Sequence, residues 1–168
     1  MKISNNFQRL DTILQNIKKG AFLTVKNRQG ELNTMTIGWT MFGILWRKPI
    51  LMVAVRPDRF TFNLIENADD FTVTFPDSDM HKQLNCCGIY SGRNVDKFKK
   101  CGLLTQAAQK VSSPIVLAKT ARYYECQIVQ TTAMDKTGLN QKYDRDVYQD
   151  KSYHTYYFGE IVACYESL

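Results

Sequence analysis

At 168 residues the chain is sized for a single domain spanning 1–168, long enough to bury a core without help from disulfides or metal. Its 44% hydrophobic and 23% charged residues, with no low-complexity tract, point to a soluble globular protein and not a disordered or membrane one, and its longest apolar runs are too short to span a bilayer. A net charge of +6 favours anionic partners, phosphate-bearing cofactors and nucleic acid among them, with most of the surplus expected on solvated surface.

Residues 1–20 have no signal-peptide layout, because Phe7, Leu10, Ile13, Leu14 and Ile17 are interleaved with Arg, Asp, Gln and Asn, so the default compartment is the cytoplasm. The same apolar residues fall at helical spacing and predict an amphipathic helix over 7–18, stopped by Gly20. The period then changes. AFLTV (21–25), NTMTIGWT (33–40) and PILMVAV (49–55) read as strands, and KNRQGE with its Gly30 reads as a hairpin loop. RFTFNLIEN (59–67) predicts a short helix after the Pro57-Asp58 turn, since Phe60 and Leu64, like Phe62 and Ile65, pair at helical offsets. DFTVTFP (70–76) alternates as a strand ended by Pro76.

Ser78 or Asp79 can cap a helix reaching Leu84, and a further helix over 95–101 stops at Gly102. The rest is β again: PIVLA (114–118), ARYYECQIVQTT (121–132) and YHTYYFGEIVACY (153–165), with a polar stretch at 135–152 expected as a long loop or lid. Six or more antiparallel-looking strands with short helices at their ends indicate a mainly β barrel or sandwich. Five cysteines, odd in number and irregular in spacing, argue against a disulfide framework and for buried free thiols in a reducing compartment. With only His81 and His154 besides, zinc is disfavoured.

Four stretches contain residues suited to chemistry. In NTMTIGWT a polar row of Asn33, Thr34, Thr36 and Thr40 runs beside apolar Met35, Ile37 and Trp39, and Gly38 permits close approach to the backbone. This is either an ordinary half-exposed strand or a wall for a flat heteroaromatic ring. VRPDRFT places Arg56 and Arg59 at a strand end with Thr61 beyond; guanidinium groups suit a phosphate, although such a turn is also commonly just solvated. YSGRNVDKF offers a tight Ser91-Gly92 turn whose amides can converge on an anion, with Arg93 and Lys97 on one side if a helix starts at Val95. His154, among Tyr153, Tyr156, Tyr157 and Phe158, is either structural or positioned to orient a substrate amide or supply a proton. No GxSxG, HExxH, P-loop or GxGxxG is present.

In their order, GAFLTV, NTMTIGW, PILMVAVRPDRFTF, DFTVTFP, YSGRNVDKF and YHTYYFGEIVACY resemble the flavin reductase-like family of FMN-binding split barrels, which includes flavoredoxins. The resemblance implies a six-stranded antiparallel Greek-key barrel with short flanking helices, normally a homodimer with FMN near the subunit interface. It implies NAD(P)H-dependent flavin reduction, with NADH or NADPH as co-substrate, or flavoredoxin-type electron transfer to an unknown acceptor. Carried onto this chain, Asn33, Met35, Thr36, Ile37, Gly38, Trp39 and Thr40 would line the flavin ring. Arg56, Arg59, Thr61, Asn63, Ser91, Gly92, Arg93 and Lys97 would surround the ribityl and phosphate groups. Arg59 and Thr61 are the first phosphate candidates, Arg56 having an acidic neighbour as its alternative. His154 matches the histidine that ends the family's Gly-Asp-His motif, associated with nicotinamide, but Ser152 and Tyr153 precede it here. A small nucleic-acid-binding barrel is a remote alternative that only the charge and the Tyr-rich last strand favour; the expectation is no nucleic acid and no membrane.

Overall fold

The computed structural model describes residues 7–77 and 79–167. Helix α1 (Leu10–Asn16) and a 3-10 turn at 17–19 occupy the predicted amphipathic segment, with Ile13 buried. Strands β1 (Ala21–Lys26) and β2 (Leu32–Ile37) form a hairpin whose loop contains Gly30 at φ +88°. The expected strand over 33–40 is not continuous. It ends at Ile37, and a new strand β3 (Thr40–Leu45) begins after Gly38 and Trp39. β3 pairs with β4 (Lys48–Val55) through a two-residue turn of Trp46 and Arg47, both at positive φ. The mirror-image hairpin turn that positive φ demands is normally signalled by Asn or Gly, so this one left no mark in the sequence.

Helix α2 (Phe60–Ile65) follows the Pro57-Asp58 turn, and β5 (Asp70–Pro76) runs almost entirely buried. Helix α3 (His81–Ile89) begins with the Asp79 carboxylate accepting the His81 amide at 3.1 Å; Ser78 lies outside the described residues. α4 (Lys97–Lys100) starts later than expected because Asp96, not Val95, accepts the amides of Phe98 and Lys99. Short strands β6 (Thr105–Gln106) and β7 (Ile115–Val116) pair with each other. The long strands β8 (Ala121–Ala133) and β9 (Thr155–Glu166) flank the segment expected as a loop, which folds helix α5 (Gln141–Val147), capped by the Asn140 side chain.

Seven strands, one more than the six expected, form an antiparallel sheet in the order β2-β1-β5-β8-β9-β4-β3. The two edge strands, β2 and β3, are joined by only two residues. Laid flat, their edges would lie roughly 29 Å apart at the usual inter-strand spacing, whereas the linker reaches roughly 11 Å at most. The sheet therefore curls until its edges meet, which is the split-barrel architecture. Two register shifts in the β8–β9 ladder, at Glu125/Cys126 and Ile128/Gln130, supply local bending. Leu23, Leu51, Val53, Phe71, Val73 and Tyr124 fill the interior. No helix among the described residues is long and apolar enough to cross a membrane.

As expected, Cys87, Cys126 and Cys164 are buried and take part in no disulfide. The expectation fails for Cys86, which is disulfide-bonded to Cys101 with Cα atoms 5.7 Å apart. Counting cysteines could not reveal this pair, because α3 and the end of α4 meet only after the intervening loop folds back.

Candidate functional site

Where the sheet closes, a cavity of about 500 Å³ opens between the end of β2, the start of α2, the end of α3 and the loop 90–97. Asn33, Met35, Thr36, Ile37, Gly38, Trp39, Arg56, Arg59, Thr61, Ser91, Gly92, Arg93, Lys97 and His154 all line it. Thr40 and Asn63 do not. Thr40 has crossed into β3, where its hydroxyl donates to the Met52 carbonyl at 2.6 Å. Asn63 lies on the exposed face of α2, opposite buried Thr61, Leu64 and Ile65.

One wall is a buried polar network. Asn33 Nδ2 donates to Thr61 Oγ1 at 2.8 Å, fixing the first residues of β2 to the first turn of α2. Gly92 packs on this pair so closely that a Cβ there would sit 2.4 Å from Asn33 Oδ1 and 2.6 Å from Phe60 Cδ1. Glycine is required here for space. Lys97, 5% exposed, donates from Nζ to the Cys87 carbonyl at 2.8 Å. Burial pushes its ammonium below the ordinary lysine value, and the charge of Arg59 pushes the same way. A buried cation with one protein partner has donors to spare for an anion. Arg93 stacks over Phe60 and donates to the Asp58 carbonyl at 2.9 Å, while half-exposed Arg59 has only a loose 3.7 Å contact with Asp58. Four cations therefore line the cavity against one carboxylate, Asp58.

The other wall is aromatic. Trp39, at the barrel's closing point, lies 4.4 Å from the His154 ring centroid, and Tyr148 meets both rings edge-on. Tyr148 Oη is 2.9 Å from His154 Nδ1; in the tautomer protonated on Nε2, the phenol donates. Burial, then the charges of Arg56 and Arg59, lower the His154 pKa to about 4, so the imidazole is neutral at physiological pH. Arg56 takes the alternative foreseen for it, an ion pair with Asp150 at 2.7 Å, and donates to the Val147 carbonyl. Segment 135–152 is thus fastened to the cavity by Arg56 and His154. Trp39 is half-exposed at the rim, not a core residue.

A protein-family model for the flavin reductase like domain matches residues 17–168. The chain belongs to the flavin reductase-like family. An uncharacterized protein of Pyrococcus abyssi is 26% identical over 143 residues, covering 84% of this chain and 70% of that one. Among solved structures, the flavoredoxin of Desulfovibrio vulgaris superposes with a TM-score of 0.68 at 21% identity, covering 88% of this chain and 69% of its own. Flavoredoxin from Methanosarcina acetivorans gives 0.67 at 25% identity, covering 87% and 67%.

For this family member, sequence reasoning missed a third contributor to the cavity. Cys87, Gly88, Ile89 and Tyr90, at the end of α3, line it together with Ala54, Asp58 and Phe60. The helix was foreseen only as far as Leu84, and nothing local shows that Thr36 Oγ1 donates to the Leu84 carbonyl at 2.6 Å, the bond that ties α3 to β2.

Proposed function

We propose that this chain binds FMN in the cavity and acts as an oxidoreductase of the NAD(P)H:flavin reductase type. The observation that carries the reading is the buried wall of Asn33, Thr61, Gly92 and Lys97. It combines a space kept open by a glycine, a buried cation with spare donors, and further arginines at the mouth. Those residues fit a group with a phosphate tail and a flat ring. When bound, FMN supplies the ring that accepts a hydride and passes on electrons.

In this reading Lys97, Arg59 and the Ser91-Gly92 turn hold the phosphate. Met35, Ile37 and Trp39 keep the ring flat and shield it from water. The cationic lining lowers the cost of negative charge in the cavity, favouring a reduced, more anionic occupant. Neutral His154 orients a neighbouring amide through a hydrogen bond and does not serve as an imidazolium acid. A visible spectrum of the purified protein with added FMN tests this. Expected are shifted flavin bands that bleach with NADH or NADPH; a colourless product that takes up no FMN overturns it.

One observation favours a second reading, an electron carrier that keeps FMN but does not turn over nicotinamide. His154 is enclosed, with Tyr148 on Nδ1 and Trp39 against its ring. Anaerobic mixing discriminates: flavin that dithionite bleaches but neither nicotinamide does is a carrier's. We also propose a homodimer, because edge strand β3 and its turn expose Met41, Ile44, Leu45 and Trp46 together. Light scattering that returns the monomer mass would overturn it.

A further inference from the structure

The loop that carries Ser91, Gly92, Arg93 and Lys97 is closed by a covalent bond. Cys86 lies in α3, one residue before the cavity wall begins at Cys87, and Cys101 directly follows α4. Their disulfide spans 15 residues, and every cavity residue between Cys87 and Lys97 lies inside that ring. Both cysteines keep part of their surface in solvent, whereas the adjacent Cys87 is fully buried. Burial raises the Cys87 thiol to about 11, the nearby Lys97 charge opposing this only in part, so Cys87 does not compete as an attacking thiolate.

Other forces hold the ends of the ring. Phe22, Leu84, Cys87, Leu103 and Val116 form a separate apolar cluster, against which Phe98 and Cys101 pack. Opening the disulfide leaves that cluster intact. Within the ring, 90–96 is ordered by the Ser91 carbonyl and hydroxyl, which accept from the Asn94, Val95 and Arg93 amides, by Arg93 on the Asp58 carbonyl and the Phe60 ring, by Gly92 packed on Asn33, and by the Asp96 cap of α4. The bond adds a covalent restraint to the segment whose geometry an anion reads.

We propose that Cys86–Cys101 is a thiol–disulfide exchange site, and that its state sets how firmly the 88–97 loop holds the FMN phosphate. This rests on the FMN reading above. The co-reactant is a dithiol. One of its thiolates attacks a sulfur of the disulfide, forming a mixed disulfide and releasing the other cysteine, which takes up a proton. The second thiol of the reagent then displaces the remaining cysteine. The dithiol leaves as a disulfide, and Cys86 and Cys101 gain two electrons and two protons as thiols. Freed of its cross-link, the loop keeps its non-covalent contacts but gains freedom that the ligand must remove on binding, which weakens binding.

The test compares the full-length protein, oxidised and after dithiothreitol, with the Cys86→Ser/Cys101→Ser double variant. Titrating thiols in denaturant should find three in the oxidised protein and five after reduction. FMN affinity, followed by flavin fluorescence, should fall on the order of tenfold on reduction and recover on reoxidation. The double variant should show the weaker affinity in both conditions. Hydrogen exchange should rise within 90–97 on reduction and stay unchanged in β8 and β9. FMN affinity equal in both states overturns the exchange site while leaving the FMN reading in place. Five thiols in the oxidised protein overturn it as well. No FMN uptake in either state overturns the FMN reading and this inference with it.

Discussion

The wall built by Asn33, Thr61, Gly92 and Lys97 is interlocked and buried, whereas the wall of Trp39, Arg56, Tyr148 and His154 depends partly on residues 135–152 and reaches the surface. In the first, each polar atom is positioned by a neighbour from another element, and one added methyl group has nowhere to go. In the second, ring contacts and the Arg56–Asp150 pair, whose carboxylate is largely exposed, do the holding. Exposed ion pairs contribute little. The difference separates a preformed clamp from an adjustable face, as expected where one ligand stays and another comes and goes.

The adjustable wall should break first in acid. His154 titrates at about 4 in the folded protein against an ordinary 6.5, so between those values the unfolded chain binds a proton that the folded chain refuses. Stability is therefore fully retained above about pH 6.5, falls as pH drops, and stops falling from this cause below about 4, a total of roughly 3 kcal/mol. Urea unfolding across this window checks it. In His154→Gln, which keeps an acceptor for Tyr148, this part of the slope should vanish; equal slopes in both proteins would refute the assignment.

The clamp should break by overpacking. Gly92→Ala forces a Cβ against Asn33 and Phe60 and should lower FMN affinity by about 2 kcal/mol while the barrel stays folded. Fluorescence titration together with a thermal melt separates the two effects. Unchanged affinity would mean that the loop yields and is no clamp.

How much of this contrast was legible follows from how local each feature is. Arg56, Arg59 and Thr61 are consecutive with a strand end and a helix start, so chain order alone placed them together. Gly92's neighbour Asn33 and Lys97's partner Cys87 are contacts between separate elements, and although Lys97 was a phosphate candidate, nothing local showed that it is buried while the nearby Lys99 and Lys100 are exposed. Trp39 was foreseen in a continuous strand because NTMTIGWT keeps its alternation across Gly38. Only the closing of the sheet, a long-range event, makes Gly38 and Trp39 the junction between edges. The Cys86–Cys101 bond was hidden for the same reason.

Arg59 tests where clamp and mouth meet. It is half-exposed with one loose protein partner, so its charge is available to a ligand at little cost in stability. Arg59→Ala should weaken FMN binding by about 1.5 kcal/mol, less so at high salt, with an unchanged melting temperature. Affinity that does not move would put the phosphate against Arg93 and Lys97 alone.

The smallest effect is the most exacting check of the boundary. Asn63 was carried onto the cavity by the family resemblance together with Thr61, which it follows by two residues. In α2 the same spacing turns it away by roughly 200°, leaving Thr61 buried against Asn33 and Asn63 in solvent. Asn63→Ala should therefore shift both FMN affinity and stability by no more than about 0.5 kcal/mol. A larger loss of affinity would show that a ligand extends past the mouth of the cavity and over the outer face of α2, and the division between clamp and mouth would have to be redrawn there.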